Sequence, residues 1–176
     1  MARIPLMLTV MAVGVAVDQV TKAWAQHALM GMPPTSYLGG VLTLIYAENS
    51  GVALSLGATL SPTVRFMLFT VGAALLLVGL LVYVLLQHNM GRSESLAYAL
   101  VISGGLGNVI DRLFNNGHVI DFLLMQAGPL STAIFNVADM LILSGVGFLF
   151  VVLWRTRPMP SATAEPEAPD AGTPSL

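Results

Sequence analysis

The sequence has no cysteine, which excludes a thiol nucleophile, a disulfide framework and thiolate metal sites. It has few charges. They make up 9% of the 176 residues, where a soluble domain carries roughly 25%. A soluble exterior must face water, so this exterior is expected to face lipid, in one compact membrane domain. A basic excess is missing too. At a net charge of −2 the chain lacks the positive surface that nucleic acid requires of a partner. The three histidines do not make up a metal set: His118 and Asp121 lack a third ligand at suitable spacing, and His27 and His88 fall near opposite faces.

What the chain does have is apolar length, with 56% of its residues hydrophobic. Four segments, about 4–28, 66–86, 95–113 and 131–154, can cross or nearly cross a hydrocarbon core of about 30 Å. The expected fold is therefore an all-α, four-span membrane domain over residues 1–157. Arg3, Arg92, Arg155 and Arg157 fall on one side of it, whereas the loops 30–64 and 113–131 hold only Arg65, at the edge of the second span. Both termini are expected to be cytoplasmic. The tail 158–176, rich in Pro, Ala, Thr and Glu, cannot bury a core and is expected to be disordered. Within 30–64, the runs Val41–Tyr46 and Val52–Leu56 flank Asn49-Ser50-Gly51 and read as a β-hairpin on the membrane surface. Arg3, the apolar run to Val17 and Ala23-Trp24-Ala25 loosely fit a cleaved secretory signal, but Asp18 and Lys22, four apart, read as helix instead.

The polar residues inside these spans converge in depth. Counting about 1.5 Å per residue from the cytoplasmic end, Asp18, Asp111 and Asp139 each lie roughly 21–22 Å up their spans. Ionisable groups inside a membrane are costly and are functional candidates by default. Asp18 and Lys22 share a helix face, as a structural ion pair or as ligand contacts. Asn108, Asp111 and Arg112 also share one, where Arg112 can cap Asp111 or reach a head group. Gly104, Gly105 and Gly107 let helices approach closely. Asn49 can hold its own turn or offer its amide to a ligand. Asp121 and Asp139 stand apart, because neither has a Lys or Arg within four residues. Two carboxylates in a partly apolar site share a proton, which supplies the acid and the base for water-mediated amide hydrolysis. On the residues alone, structural hydrogen bonding, a proton relay in a transporter and a non-catalytic lipid-binding scaffold stay open as well. A Ser–Lys catalytic pair is disfavoured, because Asp18 favours the charged form of Lys22.

Five motifs occur in order: Asp18-Gln19-Val20-Thr21-Lys22, Asn49-Ser50-Gly51, Gly104-Gly105-Leu106-Gly107-Asn108-Val109-Ile110-Asp111-Arg112, Val119-Ile120-Asp121-Phe122 and Phe135-Asn136-Val137-Ala138-Asp139. Together they resemble the bacterial lipoprotein signal peptidases (signal peptidase II, aspartyl peptidase family A8) over about residues 4–155. The resemblance implies a four-span inner-membrane aspartic endopeptidase with a small periplasmic β-cradle, its active site near the periplasmic face. It implies removal of the signal peptide from prolipoproteins on the amino side of a diacylglyceryl-modified cysteine, with no cofactor or metal. Asp121 and Asp139 match the catalytic pair. Asp18, Lys22, Asn49, Gly104, Asn108, Arg112, Asn136 and Ala138 match positions that shape the site or touch substrate. Membrane lipids and globomycin-like peptide inhibitors are the other implied partners, and a monomer is expected. The chain departs from the family pattern at Val52, Leu54 and Met140, and its stretch from Asp111 to Asp121, with Asn115-Asn116, is one residue longer than usual.

Overall fold

The computed structural model describes residues 3–51 and 59–155. Val52–Leu56, which includes two of the departures and the second arm of the expected hairpin, lies outside the described residues, as does the tail from Pro158. Among the described residues four rods of helix make up the body. The first is α1 (Arg3–Leu29). In the second, α2 (Pro62–Arg65) runs through a π-helical turn (Phe66–Val71) into α3 (Gly72–Leu86). The last two are α4 (Arg92–Phe114) and α5 (Val137–Arg155). Pro62 in the first turn and the Ser61 hydroxyl, which accepts from the Val64 amide, start α2 as helix chemistry predicts.

Among the described residues three helical stretches, Arg3–Leu29, Pro62–Leu86 and Val137–Arg155, are long and apolar enough to cross a membrane. Helix α4 differs for a physical reason. It is the innermost rod, packed against α1, α3 and α5, and it buries Ser95, Ala97, Ser103, Gly104, Asp111 and Arg112. A helix surrounded by protein need not be apolar all round. Its neighbours come close because small residues face them. A Cβ added at Gly104 would sit 2.3 Å from the Ala138 carbonyl oxygen, and one at Gly145 would sit 2.7 Å from that of Ala97. Backbone at that distance cannot yield as a side chain can. Gly104→Ala is therefore expected to destabilise the fold by about 1–3 kcal/mol and to displace the first turn of α5. Thermal unfolding in detergent checks this, and an unchanged Tm would remove the close-packing account.

The connections from α1 to α2 and from α4 to α5 supply a four-stranded antiparallel sheet at one end of the rods. Its order is β1 (Thr35–Tyr37), β2 (Leu42–Asn49), β3 (Val119–Ala127) and β4 (Leu130–Ser131). At the opposite end, Arg3 donates to the carbonyl of Gln87, just past α3. The expected hairpin is described in its first arm alone. The arm up to Asn49 is a strand, but its described partners are β1 and, from the distant second connection, β3. The register runs Leu44↔Leu123 and then Ala47↔Asp121, so β2 spends one more residue than β3 on that interval. This bulge turns the end of β2 and lays Asn49, paired with Val119, diagonally beside Asp121. The connector before β3 makes a tight turn. Asn116 and Gly117 both adopt positive φ, 52° and 82°, a conformation that asparagine and glycine tolerate.

Candidate active site

Asp139 is built by the start of its own helix. Asn136 precedes α5, and its Oδ1 accepts from the Asp139 amide at 3.0 Å while Asp139 Oδ2 accepts from the Asn136 amide at 3.2 Å. This reciprocal pair is a capping box, and it fixes the carboxylate in the first turn, where the helix dipole favours negative charge. Phe135 exchanges hydrogen bonds with Leu123, so the cap is tied to β3.

Asp121 enters from that strand. It is buried, and its Oδ1 accepts from Asn136 Nδ2 at 2.7 Å while its Oδ2 accepts from Asn49 Nδ2 at 3.0 Å. Asn136 thus holds both carboxylates, one through its side-chain amide and the other through its backbone. Asn108 Nδ2 donates to Asp139 Oδ1 at 2.9 Å. Among the described residues neither aspartate forms an ion pair, and the hydrogen bonds to both side chains come from asparagines. Burial pushes the Asp121 carboxyl up to about 6. The bond from Asn49 opposes that rise, and the charge of Asp139 adds to it.

Asn49 holds its own turn, its Oδ1 accepting from the Gly51 amide at 3.0 Å, and its side-chain amide donates to Asp121. Arg112 does not cap Asp111. Its Nη2 donates to the Gly51 carbonyl at 3.0 Å and its Nη1 to the Asn108 carbonyl at 3.3 Å, so it clamps the Asn49 turn to α4.

Beside the pair lies a buried cationic knot. Lys22 Nζ sits 2.9 Å from Asp18 Oδ2, 2.9 Å from Asp111 Oδ2 and 3.0 Å from Asn108 Oδ1. Asp18 Oδ1 in turn accepts from the Ala138 amide at 2.8 Å, which satisfies a donor that the start of α5 leaves free. Asp111 accepts from the Ile120 amide at 3.0 Å, one residue before Asp121. The depth alignment of Asp18, Asp111 and Asp139 thus corresponds to one connected polar network. Asp18 and Lys22 do not line the cavity that holds the aspartate pair; they brace the elements that carry it.

That cavity, about 620 Å³, is lined by Asn49, Asn108, Arg112, Asp121 and Asp139 on one side. Leu68 and Phe69 of the π-helical turn, Leu76 of α3 and Leu143 of α5 give it an apolar wall. Gly104 and Ala138 are not in the wall. They set the spacing between α4 and α5 behind it. Among the described residues, no His, Asp and Glu side chains converge as a metal site.

Sequence reasoning missed Gln19 as a tie between α1 and α4. Its Nε2 donates to Asp111 Oδ1 at 2.9 Å, and to Asp18 Oδ2 and the Gly107 carbonyl at 3.2 Å. Its place beside Asp18 in an apolar run was the available signal. The π-helical turn left none, since the run from Phe66 reads as ordinary helix.

The family model described as Signal peptidase (SPase) II matches residues 10–155. A lipoprotein signal peptidase of Streptococcus pyogenes is 35% identical over 80% of the chain and 88% of its own length. One from Thermosynechococcus vestitus is 34% identical over 84% of the chain and 90% of its own length. A solved structure of a bacterial membrane enzyme superposes with a TM-score of 0.72 at 25% identity, covering 86% of this chain and 89% of that one.

Proposed function

The chain belongs to the signal peptidase II family of aspartic endopeptidases, and we propose that Asp121 and Asp139 are its catalytic pair in the removal of signal peptides from prolipoproteins. The carrying observation is that the two carboxylates share one cavity and one asparagine, with no cation among the described residues bonded to either. Carboxylates bonded only by neutral amides keep the freedom to exchange a proton, which a Lys or Arg partner would suppress.

In this reading the scissile carbonyl enters beside the pair, and one water stands between it and the carboxylates. The ionised aspartate takes a proton from the water as its oxygen attacks the carbonyl carbon. The protonated aspartate donates a hydrogen bond to the developing oxyanion. Collapse of the tetrahedral intermediate breaks the C–N bond, and the leaving amine takes up a proton from the pair. No covalent intermediate forms. The apolar wall of Leu68, Phe69, Leu76 and Leu143 receives the signal helix, and cleavage falls on the amino side of the diacylglyceryl-modified cysteine.

The proposed setting is the inner membrane, spanned by α1, α2–α3, α4 and α5, with both termini cytoplasmic and the sheet and aspartate pair near the periplasmic face. The arginine distribution supports it, as does the sheet's place at the end opposite Arg3 and Gln87. Helix α4, 23 residues, is about 34 Å long at 1.5 Å per residue, enough to span.

Incubating the purified chain with a diacylglyceryl-modified prolipoprotein and weighing the products tests the assignment. Release of the intact signal peptide supports it, and binding without product rejects it. A pH profile gives a second check. The active pair holds one proton, and a carboxyl raised to about 6 keeps its proton to higher pH than an ordinary aspartate. As pH rises through that value the proton leaves, so kcat/KM of the free enzyme is expected to fall on the alkaline side. Bound substrate excludes water and moves the corresponding limb of kcat upward. A kcat/KM that rises steadily from pH 5 to 8 contradicts the one-proton pair.

A further inference from the structure

A second cavity, about 440 Å³, lies beside the first, and among the described residues their walls have only Arg112 in common. It gathers Arg65 from the end of α2, Arg112 from the last turn of α4 and His118 from the turn before β3, with Thr63 and Asn116 between them. Among the described residues no Asp or Glu lines it, and no ion pair engages either guanidinium. Two nitrogens, Arg112 Nε and His118 Nδ1, are buried with no hydrogen-bond partner among the described residues. Buried polar nitrogens are normally satisfied, so these point to an occupant that offers oxygen acceptors. Arg112 feels the charges of Asp121, Asp139 and Asp111 from the side of the first cavity. Among the described residues, though, no carboxylate is bonded to either guanidinium, and on this side the two positive groups suit an anion.

The apolar surroundings narrow the choice. Phe66 and Leu113 line the same cavity, and Phe114, next along the chain, is 85% exposed. A guanidinium-lined recess bordered by exposed apolar side chains, at the edge of an apolar helix, suits an anionic head on an apolar body. We propose that this cavity binds the phosphate of a glycerophospholipid, with Arg65, Arg112 and His118 around the head group and the acyl chains along Phe66, Leu113 and Phe114. The phosphate distinguishes this occupant from the processed peptide, whose diacylglyceryl group carries none. An occupant here engages Arg112, which clamps Gly51 and, through the Asn49 turn, the strand end beside Asp121.

The test uses the full chain, stripped of lipid in neutral detergent and examined by native mass spectrometry. Phosphatidylglycerol, diacylglycerol with the same acyl chains, and inorganic phosphate are titrated in parallel. Phosphatidylglycerol is expected to be retained as a one-to-one adduct at concentrations about tenfold below those needed for diacylglycerol. Arg65→Gln combined with His118→Gln is expected to weaken that retention about tenfold, and Arg65→Lys less. Equal retention of diacylglycerol means apolar adsorption and overturns the proposal. Inorganic phosphate displacing the lipid at equal concentration assigns the cavity to a free anion and overturns the lipid. Unchanged retention by the double variant overturns the residue assignment. Should that variant not fold, the three-ligand comparison on the unaltered chain decides alone. These binding measurements do not depend on the catalytic roles of Asp121 and Asp139, so the two proposals can fail separately.

Discussion

Asp121→Asn and Asp139→Asn are each expected to lower prolipoprotein cleavage by about 10³- to 10⁴-fold or more, because an amide neither takes a proton from water nor shares one with its neighbour. The two losses are expected not to multiply. Removing either member ends the work of the pair, so the double variant should be about as slow as the single ones. Stability supplies a control. Both aspartates accept hydrogen bonds on both oxygens, Asp121 from Asn49 and Asn136, Asp139 from Asn108 and the Asn136 amide. An asparagine in either place turns its NH₂ towards one donor, at a cost of about 1–3 kcal/mol. A modest fall in Tm should therefore accompany an almost complete loss of turnover. Near-normal processing by both folded variants would falsify the assignment of this pair.

Lys22→Met is expected to give the largest loss of stability, about 3–5 kcal/mol, which few membrane domains tolerate. The ammonium is 2.9 Å from two carboxylates that are themselves buried, and its removal leaves both facing each other without a cation. The damage should spread to the active pair. Asp18 holds the Ala138 amide at the start of α5, and Asp111 holds the Ile120 amide beside Asp121. Adding Asp111→Asn to Lys22→Met removes one of the stranded charges and should recover part of the loss, a coupling expected only of groups in contact. Folded yield and Tm in detergent measure it. A Lys22→Met chain with unchanged Tm, or a double variant worse than the sum of its parts, would show that the knot does not hold these elements together.

How much of this was present in the linear chain can be traced through particular residues. The span 66–86 is an uninterrupted apolar run, and the structure has it as helix from Pro62 to Leu86. Asp18 and Lys22, four apart, share a face whatever surrounds them. Asn136 and Asp139, three apart at the start of an apolar run, have the spacing of a helix cap, and they form one. The family motifs named the two aspartates and the residues that surround them. The second carboxylate on Lys22 could not be read in the same way, because Asp111 is far along the chain and its nearer cation, Arg112, turns instead to Gly51. Nor could the pairing of β2 with β3, since spacing within one loop carries no sign of a ladder that joins two distant connections.

By itself the sequence determined what depends on composition and on neighbours a few residues apart: residence in lipid, the positions of the apolar helices and the identity of the candidate acids. Only the tertiary structure decided which of five acidic and basic side chains neutralise one another and which two are left with neutral partners. Helical and strand periodicity carry information over a turn or two. The state of a carboxylate is set by whatever lies within a few ångströms of it, and here those neighbours come from four separate stretches of chain.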